Sequence, residues 1–156
     1  MGEKTRISCR AALPADLEAL VEIEAESFRD AWNASMLLNE LANPLAAYLV
    51  LEEEGRVIGY AGFWLAAGEA QITRVAVLKN KRARGYGNFL AAALVKKAWA
   101  MGAGAMTLEV REGNTVAQKV YSALGFKSAG VRPHYYPDNQ ENAVIMWLYS
   151  KGAENV

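Results

Sequence analysis

The run Lys79-Asn80-Lys81-Arg82-Ala83-Arg84-Gly85-Tyr86-Gly87-Asn88 places four cations within six residues, then two glycines around a tyrosine. Residues of these types at this spacing can hold an anion. Arginine offers a planar fork of donors that matches phosphate geometry. Glycine lets a backbone approach a ligand with no Cβ in the way. Where such a run joins a strand to a helix, free N–H groups and the helix dipole add to the attraction. The chemistry implied is a phosphate or pyrophosphate cradle, set against the plainer reading of a solvated basic turn. Two common cradles are excluded. A P-loop needs Gly-Lys-Ser/Thr, but Asn88 follows Gly87. A dinucleotide fingerprint needs a small residue where Leu90 stands. What remains is Arg82-x-x-Gly85-x-Gly87.

The elements that must position this run can be read around it. Ile7–Arg10 reads as a first strand, and Leu13-Pro14-Ala15-Asp16 opens a helix with proline near its start. Leu17, Leu20, Val21 and Glu24 keep a helical period, with Glu24 the polar exception. A second helix spans Ala34–Leu41. Tyr48–Leu51 and Arg56–Leu65 read as strands joined by a turn at Glu53-Glu54-Gly55. Glu69–Val77 is a strand that feeds the cationic turn, and Gly87–Met101 is the helix that leaves it. Met106–Val110 reads as a strand, Asn114–Leu124 as a helix stopped by Gly125, and Phe126–Arg132 with Ala143–Leu148 as closing strands. The expectation is one α/β domain over residues 1–156, a mixed central sheet flanked by helices.

Composition fits this. The chain has 156 residues, 53% hydrophobic and 22% charged, enough for one packed core. Lys plus Arg and Asp plus Glu both total 17, so net charge does not point to nucleic acid. The charges are uneven: Glu18, Glu22, Glu24 and Glu26 make an acidic first helix, which could favour a basic partner. Cys9 is the only cysteine, so no internal disulfide is possible. MGEKTRISCR has no long apolar run, and no run approaches ~20 residues, so neither signal peptide nor membrane span is expected. Met1-Gly2 begins a myristoylation signal, but Arg6 stands where Ser or Thr is needed. A cytoplasmic protein is expected, with oligomeric state left open.

A second constellation follows the cradle: Leu108-Glu109-Val110-Arg111-Glu112-Gly113-Asn114, then Tyr121-Ser122-Ala123-Leu124-Gly125-Phe126. Read alone, Glu109 is a solvent-facing strand glutamate, Tyr121 a core residue on an apolar helix face, and Asn114 a helix N-cap. Taken with Arg82-x-x-Gly85-x-Gly87, however, the two runs resemble the cofactor-binding halves of the GNAT N-acetyltransferases. Within that superfamily the chain resembles the ribosomal-protein-alanine N-acetyltransferases, RimI. The likeness includes Glu69–Val77, His134-Tyr135-Tyr136-Pro137-Asp138, Asn142–Met146 and, loosely, Phe28-Arg29-Asp30-Ala31-Trp32-Asn33. Ala31 replaces a usual proline, Arg74 a usual Asn or Asp, Lys79 a common proline and Asn142 an Asp.

The resemblance implies acetyl transfer from acetyl-CoA, without a metal, directly to an amine. It assigns Glu109 as base and Tyr121 as acid. Cys9, distant in sequence from every motif, gives no support to a covalent acyl-enzyme. Val75, Ala76 and Val77 would meet the pantetheine arm through their backbone, and Arg82, Ala83, Arg84, Gly85, Tyr86, Gly87 and Asn88 would hold the pyrophosphate. Asn114 would bond near the thioester. Trp32, Arg74, Tyr135 and Tyr136 would face the acceptor, while His134 is a weaker candidate. The implied acceptor is the N-terminal alanine of a small-subunit ribosomal protein. The alternatives are a small-molecule amine, such as a polyamine or antibiotic, and a non-catalytic acetyl-CoA-binding module. The latter would need neither Glu109 nor Tyr121. Four cations in one turn, with no wider basic face, suit one cofactor better than a nucleic-acid backbone.

Overall fold

The structure, a computed structural model, describes residues 5–151, so the Met1-Gly2 start lies outside the described residues. In chain order the elements are β1 (Ile7–Ala11), a 3-10 turn (Pro14–Asp16), α1 (Leu17–Ser27), α2 (Ala34–Leu41) and β2 (Ala46–Glu53). Then come β3 (Arg56–Ala66), β4 (Glu69–Val77), a 3-10 turn (Lys79–Lys81), α3 (Tyr86–Ala100), β5 (Ala105–Arg111), α4 (Thr115–Ala123), β6 (Lys127–Arg132) and β7 (Ala143–Tyr149). The strands make a seven-stranded mixed sheet in the order β1-β2-β3-β4-β5-β7-β6. Every expected element is present, with ends moved by a residue or two. The chain divides into two compact units, Met1–Trp64 with Thr73–Leu94, and Leu65–Ile72 with Val95–Val156.

In the first unit β1, β2 and β3 are antiparallel, with Cys9 opposite Leu51 and Leu49 opposite Ala61. Glu54 and Gly55 both have positive φ (50° and 81°), the backbone of a tight hairpin turn. Ile58 and Tyr60–Phe63 are buried without a break in β3, which explains why its sequence does not alternate. Gly62 lies opposite Tyr48, and a Cβ there would enter the tyrosine ring. Asp16 fixes the entry to α1. It accepts from the Leu13 N–H at 2.8 Å and holds Arg10 through both carboxylate oxygens at 2.8 Å. Asn33 caps α2 by accepting from the Met36 N–H at 2.9 Å.

In the second unit Glu69–Gln71 of β4 pair in parallel with Ala105–Thr107 of β5. The whole of β5 pairs antiparallel with β7, and β7 pairs antiparallel with β6. Met106, Leu108 and Val110 are buried with Tyr121, Phe126, Ala143 and Met146. Along β5 the buried and half-buried positions alternate from Thr107 onward, so Glu109 stands on the less covered face. Asn114 caps α4 by accepting from the Ala117 N–H at 3.1 Å. Gly125, at φ 101°, turns the chain out of α4.

Candidate active site

The cationic run folds as a 3-10 turn and a loop between β4 and α3. Arg82 Nε donates to the Val77 carbonyl at 2.9 Å and Arg82 Nη2 to Ser27 Oγ at 3.1 Å. Arg82, expected to meet the pyrophosphate, is thus a brace that ties the loop to the end of β4. Ala83 and Gly85, on either side of Arg84, both take left-handed backbone (φ 63° and 82°), the kind of turn in which neighbouring N–H groups can form a concave nest. No amide from Ala83 to Asn88 has an acceptor among the described residues, and the first that does is Phe89, bonded to the Gly85 carbonyl at 3.1 Å. Positions for a Cβ on Gly85 and Gly87 have nothing within 4 Å. Donors without acceptors, at the start of a 15-residue helix, fit a diphosphate.

Tyr86 anchors the loop from below. Its hydroxyl donates to Glu53, which also pairs with Lys81. The bond to Glu53 raises the tyrosine, and the bond to Lys81 lowers the carboxylate. Val75, Ala76 and Val77 end β4, and the Val77 carbonyl is already taken by Arg82.

Also in the first unit is a cluster around Glu24. The sequence grouped this residue with the acids of the first helix and set it as the polar exception in an apolar period; it is wholly buried. Its carboxylate accepts from the Trp32 N–H at 2.7 Å, from the Tyr60 hydroxyl, and from Arg74 Nη2 at 3.2 Å. Arg74 Nε is also 3.2 Å from Glu24 Oε2, yet off the bonding direction, so that N–H has no acceptor. The guanidinium lies 4.1 Å from the ring centres of both Phe28 and Trp32. Burial and the bond to Glu24 raise Tyr60 far above the ordinary tyrosine range. The only hint in the sequence was Glu24 as a polar residue in an apolar period.

The second unit gathers Glu109, Tyr121, Asn114, Tyr135 and Tyr136. Glu109 is 16% exposed, with Gln71 Nε2 at 3.4 Å, the Tyr135 hydroxyl at 3.5 Å and Arg132 Nε at 3.5 Å. Gln71 and Arg132 were not singled out in the sequence; Gln71 becomes meaningful only through the β4–β5 register. Tyr121 is buried against Phe126 in an edge-on pair with ring centres 5.6 Å apart. Its hydroxyl has no hydrogen-bond partner among the described residues, and burial raises it above the ordinary tyrosine range.

Arg111 organises the loop that carries Tyr135 and Tyr136. It donates to Asp138 at 3.0 Å and to Glu141 at 3.2 Å, and its guanidinium lies 4.0 Å from the Tyr136 ring centre. Glu141 also accepts from the Gly113 N–H at 2.8 Å. Tyr135 and Tyr136 meet edge to face, 5.0 Å apart, and burial pushes Tyr136 up to about 12. His134 keeps within this loop, its N–H donating to Asn142 Oδ1 at 3.0 Å. Among the described residues no cluster of His, Cys, Asp and Glu could hold a metal, and no helix is long and apolar enough to cross a membrane.

The chain is similar to known proteins in sequence and in fold. Residues 17–126 match the model of the Acetyltransferase (GNAT) family. The chain is 38% identical over 146 residues to a Bacillus subtilis protein provisionally named a ribosomal protein bS18-alanine N-acetyltransferase, covering 93% of this chain and 97% of the other. It is also 38% identical, over 139 residues, to the enzyme of that name from Haemophilus ducreyi, covering 86% and 94%. The crystal structure of the ribosomal-protein-S18-alanine N-acetyltransferase from Escherichia coli superposes with a TM-score of 0.86 at 27% identity, covering 97% of this chain and 99% of that one. With the loop of amides without acceptors, the glutamate on β5 and the tyrosine on α4 in their expected elements, these matches leave one assignment: the chain belongs to the GNAT family of acetyltransferases.

Proposed function

We propose that this chain acetylates the N-terminal α-amine of a protein, an alanine of a small-subunit ribosomal protein, with acetyl-CoA as cosubstrate. Relatives of nearly the same extent bear that activity in their names. A Salmonella typhimurium neighbour at 25% identity and TM-score 0.77 was solved with acetyl-CoA as its cofactor, covering 92% of this chain and 93% of that one. Ribosomal proteins and acetyl-CoA meet in the cytoplasm, where we place the reaction.

The observation that carries the reading is Glu109. Its donors stand at 3.4–3.5 Å, long for bonds to a carboxylate, so it can exchange them for an incoming ammonium. An α-amine has a pKa of about 8, so about a tenth is neutral at pH 7, whereas a lysine amine at about 10.4 is harder to free. One carboxylate suits the easier task. Acetyl-CoA, when bound, supplies the acetyl thioester. The amides of Ala83–Asn88 bind its diphosphate, with Arg82, Arg84 and Tyr86 shaping the loop. Backbone groups of Val75–Val77 receive the pantetheine arm, and the exposed Asn114 amide bonds near its end. Glu109 takes the proton lost by the attacking amine, directly or through water. Tyr121 gives its proton to the departing sulfur, so a free thiol leaves and an amide remains. Trp32, Arg74, Tyr135 and Tyr136 serve the acceptor side.

Mass spectrometry of acetyl transfer tests this reading with three acceptors: a basic peptide starting with free Ala, an N-blocked peptide carrying lysines, and spermidine. Acetylation of the free-Ala peptide alone is expected. Transfer only to lysine or spermidine would overturn the acceptor while leaving the family assignment in place.

A further inference from the structure

Arg74 has the surroundings of a bound ligand, although it is part of the chain. Its guanidinium lies over two aromatic rings, Phe28 and Trp32, each with its ring centre at 4.1 Å. A wholly buried carboxylate, Glu24, balances its charge, and Arg74 Nη2 also reaches the Asp30 carbonyl at 3.4 Å. Its side chain is 13% exposed. Two aromatic rings and one carboxylate are the usual parts of a site that recognises an organic cation. Here the cation comes from β4, and the rings belong to the segment between α1 and α2.

We propose that Arg74 is a positioning residue, an internal cation that fills a cage made by Phe28, Trp32 and Glu24 and so fixes the Trp32 segment for the acceptor. The segment is tied at two points, since the same carboxylate that balances Arg74 also accepts from the Trp32 N–H. With two rings against it, its charge balanced and its side chain mostly covered, Arg74 has little left to offer a substrate directly. Lysine could not substitute, because it has neither a planar face nor a fork of donors. The cage therefore also excludes cationic side chains of an acceptor, which would have to displace an arginine already in place.

This rests on the acceptor reading above, and the test separates the two. Arg74→Ala empties the cage. The expected result is a peptide KM higher on the order of tenfold, an acetyl-CoA KM within about twofold of wild type, and recovery of the peptide KM with millimolar guanidinium chloride but not sodium chloride. Arg74→Lys should recover little. An unchanged peptide KM, or an equal rise in both KM values with no response to guanidinium, overturns the proposal. Arg74→Ala leaves a buried carboxylate alone, which destabilises the fold; the double variant Glu24→Gln, Arg74→Met removes both charges. It should fold, show the raised peptide KM and ignore guanidinium, and a wild-type peptide KM in it overturns the proposal. Should wild type acetylate no peptide, the function reading fails while the cage is still tested by melting. Guanidinium must then raise the Tm of Arg74→Ala and not that of wild type, and no rise overturns the cage.

Discussion

Arg82 Nε donates to the Val77 carbonyl at 2.9 Å, so the first arginine of the loop is bonded to the last residue of the strand before it. The loop is closed by its own side chain, and its amides are left over for a ligand. Arg82→Ala should therefore weaken acetyl-CoA binding by loosening the amides as well as by losing charge. Calorimetry should show Kd rising about tenfold, the loss of one charge-assisted bond. Tyr86→Phe, which releases Glu53 without touching charge, should weaken it less. Wild-type affinity in Arg82→Ala would show that the loop holds its shape without the brace.

Glu109→Gln keeps the shape of the side chain and removes the base. At neutral pH transfer to the free-Ala peptide should fall about a hundredfold, with acetyl-CoA affinity unchanged. Raising the pH supplies neutral amine from solution, so the deficit should shrink as pH passes about 8. Single-turnover assays across pH measure this, and equal turnover at every pH removes Glu109 from the mechanism.

Tyr121→Phe removes a hydroxyl that has no partner among the described residues. Stability should be nearly unchanged, while kcat falls about a hundredfold. Because burial raises Tyr121 above the ordinary range, the wild-type rate should not decline as pH rises through about 10, where an exposed tyrosine acid would be lost. A stopped-flow profile with a falling limb below that pH would assign the acid to another group.

Alkaline stability follows from the same physics. Tyr60, Tyr48 and Tyr121 are all raised in the folded state, each first by burial. Below about pH 10 folded and unfolded chains hold these protons alike. Above it only the unfolded chain releases them, so stability should fall by about 1.4 kcal/mol per pH unit for each such tyrosine. Urea midpoints between about pH 9 and 12 measure the slope. Tyr60→Phe should flatten it, and at pH 7 should cost about 1–3 kcal/mol because the buried Glu24 loses a donor.

The sequence carried the fold and the strand–turn–helix setting of the cationic run well, and the reasons are local. Glycines at 85 and 87, a strand before and a helix after are all signals within about twenty residues. Asn114 was read as a cap, and it is one. The Glu24 cluster was not legible, because its partners Tyr60 and Arg74 lie 36 and 50 residues away. A glutamate in a helix gives no sign by itself that a distant arginine will bury it. Arg82 shows the same limit in reverse: its type announced a phosphate ligand, and its bond to a carbonyl is visible only in three dimensions.

Glu141 joins two parts of the chain that could otherwise vary independently. One of its oxygens accepts from the Gly113 amide, at the turn that leads to Asn114, and the other from Arg111, which also grips Asp138. The segment from His134 to Asn142 is therefore a cassette with its own latch. A graft that changes Tyr135 and Tyr136 to alter acceptor range should succeed where it keeps Asp138 and Glu141 opposite Arg111. A graft without that latch would carry its new side chains on an untethered loop and disturb the turn before Asn114 as well.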